Sequence, residues 1–261
     1  MLRTRLCLLK TIALLATLVV ARAQDVGSSG SKPDASNVAD TLVRMHEAWG
    51  PKASTPKATL AIKESGRSGP VMKFRLIADG MPNNGVYSLL AWPVTQNAPS
   101  AVLTGVTLDG SGLAICAGAP GTCGSPDKPN DPIDLNLQPV PGEPVRLALV
   151  SADGMVKVFA KLVPIPLRGE DRGCAVEATL LTPGAELVLI TGSGFPPNSD
   201  IRLDSESAGE RHDGKGKADA DGRFVNAILP YRQGVSTGSL NVKLKSSACA
   251  PSVKVPWGRR N

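Results

Sequence analysis

From Lys57 to the end of the chain, apolar residues alternate with polar ones in short runs, and glycine, proline and Asp-Gly or Asn-Gly pairs cut every run off. This one feature excludes most architectures, because a period of two places side chains on opposite faces of a strand and cannot build the stripe a helix needs. Met72, Phe74, Leu76 and Ala78 fall on one side of such a strand, with Lys73 and Arg75 on the other. Further strands are expected at 59–63, 86–92, 102–108, 113–116, 133–137, 145–150 and 155–163. Turn signals at Asp79-Gly80, Asn84-Gly85, Asp109-Gly110, Pro141-Gly142 and Asp153-Gly154 separate them. With 27 Gly and 22 Pro in 261 residues, the pattern predicts an antiparallel sandwich or barrel rather than a helix bundle.

Val163-Pro164-Ile165-Pro166 and the charged run Arg168-Gly169-Glu170-Asp171-Arg172 break the alternation. Proline cannot donate to a ladder, so 164–173 is expected to be a linker between a first β domain at 57–163 and a second at 174–261. In the second, strands are expected at 175–181, 185–191, 200–204, 223–229, 240–244 and 252–257, with 211–218 as a polar edge strand. Weak internal repetition supports duplication. Leu76-Ile77 is echoed 113 residues on by Leu189-Ile190, the following Gly80-Met81-Pro82 is echoed 114 residues on by Gly194-Phe195-Pro196, and Asp109-Gly110 is echoed 112 residues on by Asp221-Gly222. Residues 24–56 read as a flexible tether, rich in Gly and Ser, and then a short helix. Ser36 is its N-cap, Val38, Leu42, Met45 and Trp49 share one face, and Gly50-Pro51 is the stop.

The first 23 residues have the layout of a secretory signal peptide: Arg3, Arg5 and Lys10, an apolar run from Thr11 to Val20, and Ala21-Arg22-Ala23 before the cleavage point. The apolar run is about half the ~20 residues a membrane span requires, so no membrane span is expected after cleavage. The signal holds four basic residues and no acid, so the chain's charge of +6 falls to +2 once it is removed. A nucleic-acid partner is therefore not expected. A secreted or periplasmic location makes the cysteine count meaningful. Without Cys7, four remain, and an even number in an exported chain implies two disulfides. Of three connectivities, Cys116–Cys123 brackets a short loop that folds back on itself, and Cys174–Cys249 closes the second half end to end. Those are the pairs expected.

The stretch Ile190-Thr191-Gly192-Ser193-Gly194-Phe195-Pro196-Pro197-Asn198 resembles a signature of bacterial secreted immunoglobulin-like (Ig-like) domains. So do Ala218-Asp219-Ala220-Asp221-Gly222-Arg223-Phe224, Leu229-Pro230 and Gly238 ahead of the last long strand. The resemblance covers residues 174–258. It implies an all-β fold of two tandem Ig-like antiparallel β-sandwiches preceded by a short N-terminal helix, with Phe195 plugging one end of the second sandwich and Asp221-Gly222 at a hairpin turn. It implies little about activity, because the same sandwich carries many functions.

Catalytic signals are sparse. The two histidines are His46, expected to be a surface or half-packed residue of the helix, and His212, expected at a solvated hairpin tip; no G-x-S-x-G elbow or phosphate-binding glycine loop occurs. Calcium would be offered Asp213, Asp219 and Asp221, or Asp127, Asn130, Asp131 and Asp134, but these residues also make ordinary turns. No catalytic residue, metal or cofactor is assigned. The chain is expected to be a non-catalytic binding, adhesion or structural protein with a protein or glycan ligand. The alternative is a secreted hydrolase or accessory enzyme acting on carbohydrate or peptide through unidentified carboxylates. A recognition surface is sought first at the loop from Cys116 to Pro132, with Trp92 and Tyr87 as aromatic contacts or, equally, as core.

Overall fold

The computed structural model describes residues 35–96, 98–116, 123, 130–231 and 233–258. The signal peptide and the tether through residue 34, and the greater part of the loop between Cys116 and Asn130, lie outside the described residues. Described residues from 35 onward form one compact unit. Among them no helix is long and apolar enough to cross a membrane.

The described residues are β-rich with one α-helix, α1 (Ala35–Ala48). The first half carries β1 (Thr59–Ser68), β2 (Val71–Asp79), β3 (Tyr87–Ala91), β4 (Ser100–Leu108), β5 (Ala114–Cys116), β6 (Leu135–Leu137), β7 (Val145–Ser151) and β8 (Lys157–Leu162). The second carries β9 (Leu167–Asp171), β10 (Cys174–Leu180), β11 (Val188–Ser193), β12 (Asp200–Ser207), β13 (Glu210–Lys217), β14 (Phe224–Ile228), β15 (Thr237–Lys245) and β16 (Ser252–Gly258). They form four antiparallel sheets, ordered β1-β2-β6, β5-β4-β3-β7-β8, β14-β11-β10-β9 and β13-β12-β15-β16. In β2 the expected alternation holds residue by residue: Met72, Phe74, Leu76 and Ala78 are buried, Lys73 and Arg75 exposed. Burying a residue such as Phe74 or Leu76 contributes about 1.5–3 kcal/mol each.

One core gathers Leu76, Tyr87, Leu89, Val106, Leu147 and Val158 from the two sheets of the first half. A second gathers Val176, Ile190, Phe195, Leu203, Val242 and Trp257 from the two sheets of the second half. The pairing order repeats between the halves. β3 lies between β4 and β7, and β7 pairs β8; likewise β12 lies between β13 and β15, and β15 pairs β16. The turns repeat as well. Asp109 Oδ1 accepts the N–H groups of Ser111 at 2.8 Å and Leu113 at 2.9 Å. Asp219 Oδ1 accepts those of Asp221 at 3.0 Å and Arg223 at 2.8 Å. Gly112 and Gly222 close these turns at φ +80° and +70°, each pressed so close to a backbone carbonyl that no Cβ fits. Asp109 therefore corresponds to Asp219, 110 residues on, and the match between Asp109-Gly110 and Asp221-Gly222 is a coincidence of turn composition.

Two expectations need correction. Segment 164–173 is not simply a solvated linker: Leu167–Asp171 is strand β9, paired with β10 from Cys174↔Asp171 to Ala178↔Leu167. And His46 is buried, 3% exposed, rather than at the surface. The cause is α1. Leu42 and Val43 pack on Leu181, Leu187, Leu189 and Ala227, on the outside of the β10–β11–β14 sheet. Met45 and Trp49 pack on Trp92, Ala148 and Phe159, on the outside of the β3–β7–β8 sheet. A helix inserted between two sheets buries more of its circumference than one apolar stripe.

Candidate functional site

Two regions depart from what folding alone requires. The first is the outer face of the β13-β12-β15-β16 sheet. β12, β16 and β15 from Leu240 onward alternate, so every second residue faces water, while the edge strand β13 has no buried residue. Register then sets the rows: Lys215, Arg202 and Lys245 stand opposite one another on adjacent strands, followed by Asp213, Asp204 and Lys243, then Arg211, Glu206 and Asn241. Lys217 opposite Asp200, and Lys254 beside Asn241, extend the face. Like charges directly opposite one another destabilise a sheet, and here three cations occupy a single row about 4.8 Å apart from strand to strand. Asp204 relieves part of the repulsion, accepting from Arg202 Nε at 2.8 Å and from Lys245 Nζ. The two cations hold its carboxyl below the usual range, Lys245 first. Arg211 pairs with Glu206 at 3.0 Å. A shallow depression of about 520 Å³ runs over this face.

The second is the layer beneath α1. Trp49 meets Trp92 and Phe159 edge to face, with ring centroids 5.5 Å and 4.9 Å apart. The Arg146 guanidinium lies 4.3 Å from the Trp92 ring centroid, and Arg146 is 5% exposed. Lys161, opposite Arg146 across the β7–β8 ladder, donates from Nζ to His46 Nε2 at 2.8 Å. That contact puts the imidazole proton on Nδ1. Burial, then Lys161 and Arg146, lower the His46 pKa to about 3, and burial lowers that of Arg146 to about 10. Three buried N–H donors here have no acceptor among the described residues: His46 Nδ1, Trp49 Nε1 and Arg146 Nε. A cavity of about 380 Å³ opens against Arg146, Trp92, Leu42, Met45, Leu181 and Thr182.

The residues singled out in the sequence are distributed as follows. Tyr87 is core, its hydroxyl donating to the Pro82 carbonyl at 2.6 Å. Trp92 is buried in the layer beneath α1. His212 is exposed on β13, 3.9 Å from Glu210. Asp219 is held in its own turn and Asp213 lies on the charged face, so the first calcium set does not converge. Asp134 pairs with Arg75 at 3.0 Å, Asn130 and Asp131 bind Cys116 through their backbones, and Asp127 lies outside the described residues. Among the described residues no three His, Cys, Asp or Glu side chains cluster as metal ligands would. Cys116 and Cys123, and Cys174 and Cys249, are at disulfide distance, with Cα separations of 5.1 Å and 6.2 Å. Carboxylates with a resolved shift all shift down: Glu64, Asp109, Asp153, Asp171 and Asp204. The donors responsible are arginine, lysine, serine and backbone N–H groups. Sequence reasoning missed the Arg146–Trp92 and His46–Lys161 contacts, whose partners are far apart in the chain.

No family model matches the sequence, and no curated protein matches it. A solved structure similar to the chain is a tetra-tandem repeat from the extending region of a large adhesion protein, at TM-score 0.25 and 10% identity, covering 78% of this chain and 49% of that one. The chain thus spans about half the length of the structure it matches. A superposition that loose fixes neither fold family nor activity.

Proposed function

We propose that the chain is an exported, non-catalytic binding protein made of two tandem Ig-like β-sandwiches, and that it holds an acidic glycan on the open face of the β13-β12-β15-β16 sheet. The observation that carries the binding is the row Lys215, Arg202, Lys245. Three cations abreast cost stability and do nothing for the core, so a ligand that needs them is the physical reason to keep them. The repeated pairing order and the matching Asp109 and Asp219 turns support tandem sandwiches, with β9 assigned to the second. The two cysteine pairs at disulfide distance support passage through an oxidising compartment. The downward carboxylate shifts support reading those acids as ion-pair and turn residues, since a general acid needs the opposite shift.

The test is retention of residues 24–261 on arrays of acidic and neutral glycans and of peptides, at rising salt. Retention on acidic glycans that falls as salt screens the charges, and is lost in Lys215→Gln/Lys245→Gln, supports the reading. Equal retention on neutral glycans, retention on peptides alone, or indifference to that double substitution overturns it.

A further inference from the structure

The layer beneath α1 has a property the charged face does not share: it is short of acceptors. Among the described residues His46 Nδ1, Trp49 Nε1 and Arg146 Nε are buried donors without partners, in a fold where nearly all buried polar groups are expected to be satisfied. Packing does not require this. Arg146 stands on the outer face of β7, where an apolar residue would pack against Trp92 without stranding a charge. Its guanidinium is committed on one side to the Trp92 ring, while Arg146 also lines a cavity whose other walls include the apolar Leu42, Met45 and Leu181 and the polar Thr95, Gln96 and Thr182. A buried cation beside a largely apolar wall is complementary to an anion that carries a hydrocarbon tail.

We propose that this cavity, between α1, β7 and the segment after β10, is a binding site for a small amphipathic carboxylate. The carboxylate accepts from Arg146, and the tail lies along Leu42, Met45 and Leu181. The volume of about 380 Å³ suits a ligand of roughly eight to twelve heavy atoms, at the lower end of small-molecule pockets. The proposal does not depend on the charged sheet face or on any polymer bound there. Two sources share this chemistry, a free short-chain acid and the C-terminal carboxylate of a peptide with an apolar last residue.

Two of the three tryptophans, Trp49 and Trp92, sit in this layer, so intrinsic fluorescence reads the site directly in a Trp257→Phe background. The probes are hexanoate for the free acid and N-acetyl-leucine for the peptide terminus, each against its uncharged counterpart, 1-hexanol and N-acetyl-leucinamide. A saturable change is expected with at least one acid and at least tenfold weaker binding of its uncharged counterpart, as is usual when a buried charged donor loses its acceptor. The tighter of the two acids identifies the source. Arg146→Met is expected to weaken binding by a similar factor, with its fold checked by circular dichroism. If that variant does not fold, comparison of acid with uncharged counterpart on the otherwise unaltered chain decides the question. No saturable response to either acid, equal binding of the uncharged compounds, or unchanged binding by folded Arg146→Met overturns the proposal.

Discussion

A bond between Cys174 and Cys249 would span 75 residues, against 7 for Cys116 and Cys123. If a cross-link stabilises mainly by removing loop-closure entropy from the unfolded chain, the long loop is worth ~4.5 kcal/mol and the short one ~2.4 kcal/mol at 25 °C. The surroundings are similar enough to isolate this difference. All four cysteines are buried, at 2% and 0% exposure for the long pair and 8% and 7% for the short, so alanine leaves comparable small voids. Urea unfolding of Cys174→Ala/Cys249→Ala and Cys116→Ala/Cys123→Ala is the assay, followed by circular dichroism and by the fluorescence of Trp257, which shares a core with Cys174 and Cys249. The first variant is expected to lose ~2 kcal/mol more than the second. Its m value should also rise further, because a chain released from a 75-residue loop exposes more surface when unfolded. Equal losses, or a larger loss at 116/123, refute the pairing or the entropic reasoning behind it.

Gly222→Ala and Gly112→Ala force a Cβ to 2.1 Å and 2.0 Å from a carbonyl oxygen at positive φ. Each should cost ~2 kcal/mol or more, whereas Gly214→Ala, with open space around it, should be near neutral; denaturant midpoints that fail to separate them contradict the turn geometry. Trp49→Ala removes the residue that ties α1 to Trp92 and Phe159. A loss of ~3–5 kcal/mol with early hydrogen exchange in α1 is expected, and unchanged protection of the helix would count against its clasping role. His46 is neutral in the fold, with a pKa of about 3, but takes up a proton near pH 6.5 when unfolded. Its contribution is thus complete above that value and is lost as pH falls toward 3. Asp109, Asp153, Asp171 and Asp204, with lowered folded values, add their losses only below about pH 4. Melting temperature should begin to fall below about pH 6.5, and in His46→Asn the onset should move to the carboxylate range; an identical profile in the variant excludes His46 as the cause.

Strand positions were legible wherever burial is one-sided, as in β2, and turns wherever Asp or Gly carries a backbone constraint. β9 was not legible because its sequence, Leu167-Arg168-Gly169-Glu170-Asp171, reads as charge just after Pro164 and Pro166. Its ladder with β10 makes it a strand, and a Cβ on Gly169 would stand 1.7 Å from the Ser252 carbonyl, so the glycine is a contact surface for β16 rather than a breaker. His46 misled for a different reason. It follows Met45 and lies one turn from Leu42, on the arc of α1 that becomes buried, but the partner of its Nε2, Lys161, is 115 residues away. The row Lys215, Arg202, Lys245 is equally silent in the sequence, because three separate strands bring it together by register.

One signal did carry information about where the surfaces lie. β7 and β15 occupy equivalent places in the pairing order, yet β15 alternates strictly, Leu240, Val242 and Leu244 in against Asn241, Lys243 and Lys245 out. β7 runs Val145-Arg146-Leu147-Ala148-Leu149-Val150 with burial on both faces. A strand that is apolar on both faces belongs to a sheet covered on both, and β7 is covered by α1. The polar face of β15 marks the sheet left open. The same pairing scheme is therefore used in opposite ways: the first half turns its β3–β7–β8 face inward under the helix, where Arg146 is the one charge in an otherwise apolar run. The second half turns the equivalent face outward, with charges along β12 and β13 and at Lys243, Lys245 and Lys254. Arg146 stands out on that comparison alone, since the covering that makes Leu147, Ala148 and Leu149 favourable makes a guanidinium costly unless something accepts from it.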